Sequence, residues 1–286
     1  MNFAMPVDRH SGSEEAQLVA FQADTAVRSL ESRGYRWTYR RCGVSGPPLL
    51  ILPGALGQAD FGYAAISLLG QEFRIIAPDY PPFQSLKELV AGLTDILDAE
   101  MVDRAHVLGG SFGGVAAQAL ARERPERLAS LILSHTGAPR RAPGTRIAVK
   151  LLAALPEPLL RGLFRTRVRL AVEVAGPFWV RQFDEAVARL RKADLLSRTR
   201  LAAEFGDRYG RGSAGERQWP VLLLESADDP LIQASDREAL RRLYRDAEVH
   251  AFEGTGHLAA ILEPEAFAGA IVDFVRRRSC DRGSGR

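Results

Sequence analysis

Cysteine is nearly absent from this 286-residue chain: Cys42 and Cys280 stand alone near opposite ends. No disulfide framework or metal-ligating spacing follows from such a pair, and free thiols suit a reducing compartment. Lysine is almost as scarce, at Lys87, Lys150 and Lys192, so the basic side is nearly all arginine. Charge of one sign forms no long block. The net charge is only +3 and no aromatic-interleaved basic motif accompanies it, so nucleic acid is not an expected partner. No apolar run is long enough to span a bilayer. The first 34 residues lack a basic start followed by an apolar core and contain Asp8, Glu14, Glu15 and Asp24. A secretory leader is therefore not expected, and a cytoplasmic location is.

What is present is a strand–helix alternation. Leu49–Leu52 reads as a short, wholly apolar strand, Phe73–Asp79 as another buried strand, and the run ending at Gly110, Leu128–Ser134 and Val221–Glu225 as further strands. Tyr35–Arg40 and Ala247–Phe252 read as further strands. Helices are expected between them, among them Ser85–Glu100 with Leu86, Leu89, Val90, Leu93, Ile96 and Leu97 on one face. Such alternation gives a mostly parallel sheet covered on both faces, with ligands beyond the carboxyl ends of the strands. Gly54, Asp79, Ser111 and His135 all fall at such ends and are expected to cluster.

Between 139 and 216 the strand pattern disappears. Ile147–Leu155, Pro158–Val172 and Pro177–Phe205 read as helices, and the stretch is expected to form a cap over the sheet. Its arginines (Arg140, Arg141, Arg161, Arg165, Arg167 and Arg169) fit a solvated outer face or a membrane-surface helix. The overuse of arginine throughout favours the solvated face. The division expected is a partly helical N-terminal extension (1–34, with 1–12 disordered and a helix from Ser13 through Leu30), a core (35–138 and 217–279), the cap (139–216) and a tail (280–286).

The stretch Arg104–Ala121 carries the chemistry. It starts as a strand, ends as an alanine-rich helix, and holds Gly109-x-Ser111-x-Gly113 between them. A G-x-S-x-G motif between strand and helix marks a sharp turn that lifts the serine clear of the sheet. A serine hydroxyl needs a base, and the base needs an acid to hold its tautomer. His257, after Gly254-Thr255-Gly256 in a loop behind the last strand, has the best reach as base, and His135 is the alternative. For the acid, Glu225, Asp228 and Asp229 compete just after a strand; Asp229 occupies the turn proper, before Pro230. Two donors for an oxyanion are expected from the backbone N–H groups of Phe112 and Ala55. Leu56, His135, Phe178 and Trp179 are expected to line the pocket.

With these motifs in place the chain resembles the α/β-hydrolase superfamily from about Trp37 to Val275. The resemblance rests on Leu52-Pro53-Gly54, Gly109–Gly113, Ser226-Ala227-Asp228-Asp229 and Gly254-Thr255-Gly256-His257. It implies the α/β-hydrolase fold, places the acid at Asp229, and calls for no metal or organic cofactor. Pro53 departs from the histidine that many relatives carry there, so the oxyanion loop is atypical. Within the superfamily the chain looks most like the maspardin branch, through Pro48–Gly54, Arg74–Pro81, Gly109–Gln118 and Leu195–Tyr209. That branch includes members thought to bind partners rather than turn over substrate, but here a full Ser/Asp/His set is kept. The activity implied is hydrolysis of a carboxylic ester, thioester or related acyl compound, with an apolar small-molecule substrate. A binding role, or a cyclase or C–C lyase using the same pocket, is the alternative.

Overall fold

The computed structural model describes residues 13–141, 143–212 and 219–283. The segment 1–12, expected to be disordered, lies outside the described residues. In chain order the elements are α1 (Glu14–Asp24), β1 (Ala26–Ser32), β2 (Tyr35–Cys42), β3 (Pro48–Leu52), α2 (Tyr63–Leu69), β4 (Arg74–Asp79), α3 (Leu86–Ala99), β5 (Ala105–Gly110), α4 (Phe112–Glu123) and β6 (Leu128–Ser134). Four helices follow without a strand: α5 (Thr145–Ala154), α6 (Glu157–Glu173), α7 (Pro177–Arg189) and α8 (Lys192–Tyr209). Then come β7 (Val221–Ser226), α9 (Ala234–Leu243), β8 (Glu248–Phe252), α10 (Ala259–Leu262) and α11 (Pro264–Gly283).

The strands form one sheet in the order β1-β2-β4-β3-β5-β6-β7-β8. The β1–β2 and β2–β4 pairs are antiparallel and the remaining pairs parallel. The central strands are buried on both faces, which is why they read as continuous apolar runs rather than alternating ones. On one side α3 packs through the apolar face read from its sequence, every member of which is buried, and Ser85 caps it by accepting from the Glu88 N–H at 3.3 Å. The other side is closed by α2 and α11 around Leu49, Phe73, Ile75 and Phe274.

Two parts of the N- and C-terminal reading need correction. The helix expected from Ser13 through Leu30 stops at Asp24, and Ala26–Ser32 is an edge strand paired along its length with Tyr35–Arg41. The sheet therefore begins inside the segment taken as an extension. At the other end α11 continues to Gly283, past the tail boundary at 280. Within the insertion, the long helix expected over Pro177–Phe205 is two helices, broken at Leu190-Arg191.

Candidate active site

The parallel strands end on one edge of the sheet, and the candidate site is assembled from the residues that follow them. Ser111 follows β5 and precedes α4 with φ 52° and ψ −117°, a backbone conformation that is strained for a side chain with a Cβ. The turn is possible because its flanks are glycine. A Cβ on Gly109 would lie 2.3 Å from the Gly113 carbonyl oxygen, and one on Gly113 would lie 2.0 Å from that of Leu52. Phe112 is the first residue of α4, so its N–H has no partner within the helix.

The segment after β6 grips this turn. The Ser111 N–H donates to the Ser134 carbonyl at 2.9 Å, and the Thr136 hydroxyl donates to the Ser111 carbonyl at 2.8 Å. The loop after β3 closes a turn through the Gly57 N–H and the Gly54 carbonyl at 2.9 Å, and the Ala55 N–H makes no hydrogen bond among the described residues. That turn is tied to β4's end, since the Tyr80 N–H donates to the Gly57 carbonyl at 3.0 Å. Arg198 of α8 reaches the same place, donating to the carbonyls of Tyr80 (2.9 Å) and Pro81 (3.2 Å) beneath the rings of Tyr80 and Phe112. Burial lowers its guanidinium pKa.

Behind β7 and β8 the three acid candidates separate. The His257 Nδ1–H donates to Asp229 Oδ2 at 2.8 Å, while Asp229 Oδ1 accepts from the N–H groups of Leu231 (2.8 Å) and Ile232 (3.0 Å). Burial works to raise the Asp229 carboxyl, but the bond and charge of His257, with the two amides, outweigh it and hold it below the usual carboxylate range. Asp228 instead accepts from the Gly256 N–H at 3.1 Å, and Glu225 pairs with Arg241. A carboxylate can only accept here, so His257 Nδ1 carries a proton, which in the neutral imidazole makes Nε2 the acceptor.

His257, Ser111, Ala55, Leu56 and His135 all line one cavity of about 230 Å³. Among the described residues its wall carries no Asp, Glu, Lys or Arg; the polar side chains are Gln58, Ser111, Ser134, His135 and His257. Ser111 makes no hydrogen bond to His257 among the described residues; such bonds commonly tighten only around a substrate. Phe164, Val168 and Val172 of α6 and Phe183 of α7 close it from the insertion side.

Two of the residues expected in the pocket are elsewhere. Phe178 and Trp179 do not line the cavity. Trp179 stacks on Tyr63 (5.5 Å), lies against Phe61 (5.9 Å), and donates its indole N–H to Glu14 Oε1 at 2.9 Å. It therefore fastens α7 to α2 and α1, with Phe178 packed edge-on against it. Asp79 also turns away, accepting from the Ala59 N–H (3.0 Å) and the Thr38 hydroxyl (3.1 Å).

His135 is held more firmly than its sequence position suggests. It has φ 46°, and its ring nitrogens meet the hydroxyls of Ser134 and Ser226, each at 2.8 Å. Ser226 continues to the Thr255 hydroxyl at 2.8 Å, in the loop that carries His257. Burial first, then the nearby His257, pushes the His135 pKa down to about 4, so this imidazole is neutral at pH 7. The hydrogen-bonding roles of Thr136, Ser226 and Thr255 escape a sequence reading, because a hydroxyl beside a strand end does not reveal its partner. No group of three or more His, Cys, Asp or Glu able to hold a metal ion occurs among the described residues.

The family model for the Alpha/beta hydrolase family matches residues 34–270. The chain belongs to that family. Among curated proteins it is similar to a 2-hydroxy-6-oxononadienedioate/2-hydroxy-6-oxononatrienedioate hydrolase of Cupriavidus pinatubonensis, 28% identical over 245 residues, covering 78% of this chain and 83% of the relative. It is also similar to a 2-hydroxy-6-oxo-6-phenylhexa-2,4-dienoate hydrolase of Comamonas testosteroni, 27% identical over 250 residues, covering 79% and 85%. Among solved structures the enol-lactonase of Burkholderia xenovorans LB400 superposes with a TM-score of 0.73 at 18% identity, covering 87% of this chain and all of that one. The architecture is that of the α/β-hydrolase fold, and the relatives are hydrolases of small molecules. No helix among the described residues is long and apolar enough to cross a membrane.

Proposed function

We propose that the protein is a serine hydrolase of carboxylic esters, thioesters or related acyl compounds. The observation that carries this is the Asp229–His257 hydrogen bond at the rim of an apolar cavity that also holds Ser111 on its strained turn. In this reading Ser111 Oγ attacks the acyl carbonyl and His257 Nε2 takes its proton. Asp229 holds the imidazole tautomer and steadies the positive charge. The Phe112 and Ala55 N–H groups receive the oxyanion, the leaving group takes the proton from His257, and water then releases the acyl group from Ser111. Segment 139–216 acts as the cap, with α6 and α7 shaping the acyl site. The two cysteines, far apart in sequence, fit a cytoplasmic setting.

The wall of the cavity selects among substrates. The dienedioate named for the Cupriavidus relative carries two carboxylates, and burying such charge needs cationic partners. No such side chain lines this cavity, so the enclosed part of the substrate is apolar and uncharged. The relatives' named substrates are oxo-dienoates without an ester, which supports C–C cleavage as the second reading. A binding role of the maspardin kind finds less support, because every group needed for turnover is kept. A panel of chromogenic esters of increasing acyl length, run with the Ser111→Ala variant as control, tests the proposal. Turnover is expected with uncharged acyl chains and is expected to vanish in the variant. Turnover confined to oxo-dienoates would move the assignment to C–C cleavage, and turnover of neither class would leave a binding protein.

A further inference from the structure

The cavity beside Ser111 has a direction. Ala65, Ile66 and Leu69 of α2 line it, together with Gly62 just before that helix. Steps of three, one and three residues put these four in one stripe along the helix. At 1.5 Å per residue the stripe is about 10 Å long. The facing wall is the sheet. Gly110 pairs with Ser134 at the level of the site, and Ile51 pairs with Leu108 one step lower on the same face. Leu108 precedes Ser111 by three strand residues, which is again about 10 Å. Helix and sheet thus give the same depth independently. The lower part is bounded by Ile51, Ala65, Ile66, Leu69 and Leu108, all of them apolar.

Gly110 keeps the way into this space open. It lies within β5 and has no left-handed backbone that would call for glycine. A Cβ there would meet nothing within 4 Å, whereas Gly109 and Gly113 are confined on every side by the turn. Glycine weakens a strand interior, and one that no packing demands marks a place where something approaches closely. The cavity holds about 230 Å³. That is below the roughly 300–1,000 Å³ of ordinary ligand pockets, so it suits a thin ligand better than a bulky one. C–C bonds near 1.5 Å in a staggered chain advance about 1.25 Å per carbon, so a depth of about 10 Å takes about eight carbons.

We infer that this space is a slot for a straight, unbranched alkyl chain of about eight carbons, which is the acyl chain of the substrate. The chain passes Gly110, lies between α2 and the sheet, and ends against Leu69 and the Ile51–Leu108 pair. Calling the chain acyl rests on the proposed hydrolysis; the preference of the slot for a straight chain does not, and its test needs no turnover.

The full-length Ser111→Ala protein is titrated by calorimetry with primary alcohols from butanol to dodecanol. Affinity is expected to rise about fourfold per carbon, as burial of each methylene requires, and to level off near octanol. Cyclooctanol, the same carbons in a ring, is expected to bind about tenfold more weakly than octanol. Gly110→Val, added to the same protein, fills the slot beside residue 111 with a side chain suited to a strand, and is expected to weaken octanol about tenfold or more. Ala65→Leu narrows the slot from the helix side, keeps helix propensity, and carries the same expectation if the valine disturbs the turn. Leu69→Ala removes part of the floor and should move the plateau to longer alcohols, a change opposite in sign to the other two. Absence of octanol binding overturns the inference. So do octanol and cyclooctanol bound alike, affinity that climbs through dodecanol without a plateau, or folded Gly110→Val and Ala65→Leu proteins that bind octanol as before. A plateau near octanol in a protein whose wild type turns over no ester would uphold the slot and remove the hydrolase reading alone.

Discussion

Asp229 and its two acidic neighbours lie within five residues, yet their side chains do separate work. Asp228 takes a backbone amide, Glu225 an arginine, and Asp229 the imidazole. Asp229→Asn should leave the fold in place while offering His257 a donor where it needs an acceptor. An orienting carboxylate of this kind is worth about 10⁴ in kcat with little change in KM, and steady-state kinetics on the preferred ester check it. The glycines of the turn act through space rather than charge. Gly113→Ala forces a Cβ into the Leu52 carbonyl, and is expected to cost about 3 kcal/mol or more in urea unfolding. His135 gives a pH signature. Its folded pKa of about 4 lies below the ordinary 6.5, so the unfolded chain binds a proton that the folded chain refuses. Stability is then complete above about pH 6.5 and is lost as the pH falls toward 4. Unfolding midpoints measured across that window should slope in the wild type and flatten in His135→Gln. Depression of the Asp229 carboxyl acts in a separate, more acidic window, starting below its ordinary value near 4.

At the scale of elements, the sequence was most legible where one face is buried against one partner. The apolar period of α3 and the largely apolar strands β3, β5, β6 and β7 leave few alternatives, and the Gly109–Gly113 spacing marks the turn between β5 and α4. Edge strand β1 was illegible for the opposite reason. Its residues are mostly exposed, so no burial pattern is written into Ala26–Ser32, and only pairing with β2 makes it a strand. Phe178 and Trp179 show a related limit. Their helix and their burial follow from sequence, but whether they meet a cavity or the side of α2 depends on how α7 docks. The cavity wall drawn from α6 and α7 is instead Phe164, Val168, Val172 and Phe183. Phe183→Ala is expected to cost about 3–4 kcal/mol and to lengthen the acyl chain that is accepted, and an ester panel run beside thermal unfolding checks both. Changing Trp179 to Ala should destabilise by a similar amount through lost packing on Tyr63, without altering chain-length preference.

Over the whole molecule, a sheet bundled with helices supplies the rigid edge, and the insertion supplies the roof and the excess positive charge. Those two parts meet at Arg198, which ties α8 to the Tyr80-Pro81 segment beside the Gly54–Gly57 turn. Loops from β3, β5, β6, β7 and β8 converge on one cavity, and the proposed mechanism requires that a hydroxyl, an imidazole and a carboxylate far apart in the chain act there as one group. Labelling of the folded protein with a fluorophosphonate, read by mass spectrometry of the peptide containing Ser111, tests this most directly. Rapid, stoichiometric modification of Ser111 is expected, slowed by about 10³-fold or more in His257→Gln. An intact protein that resists the probe, or one labelled equally fast without the imidazole, would contradict it.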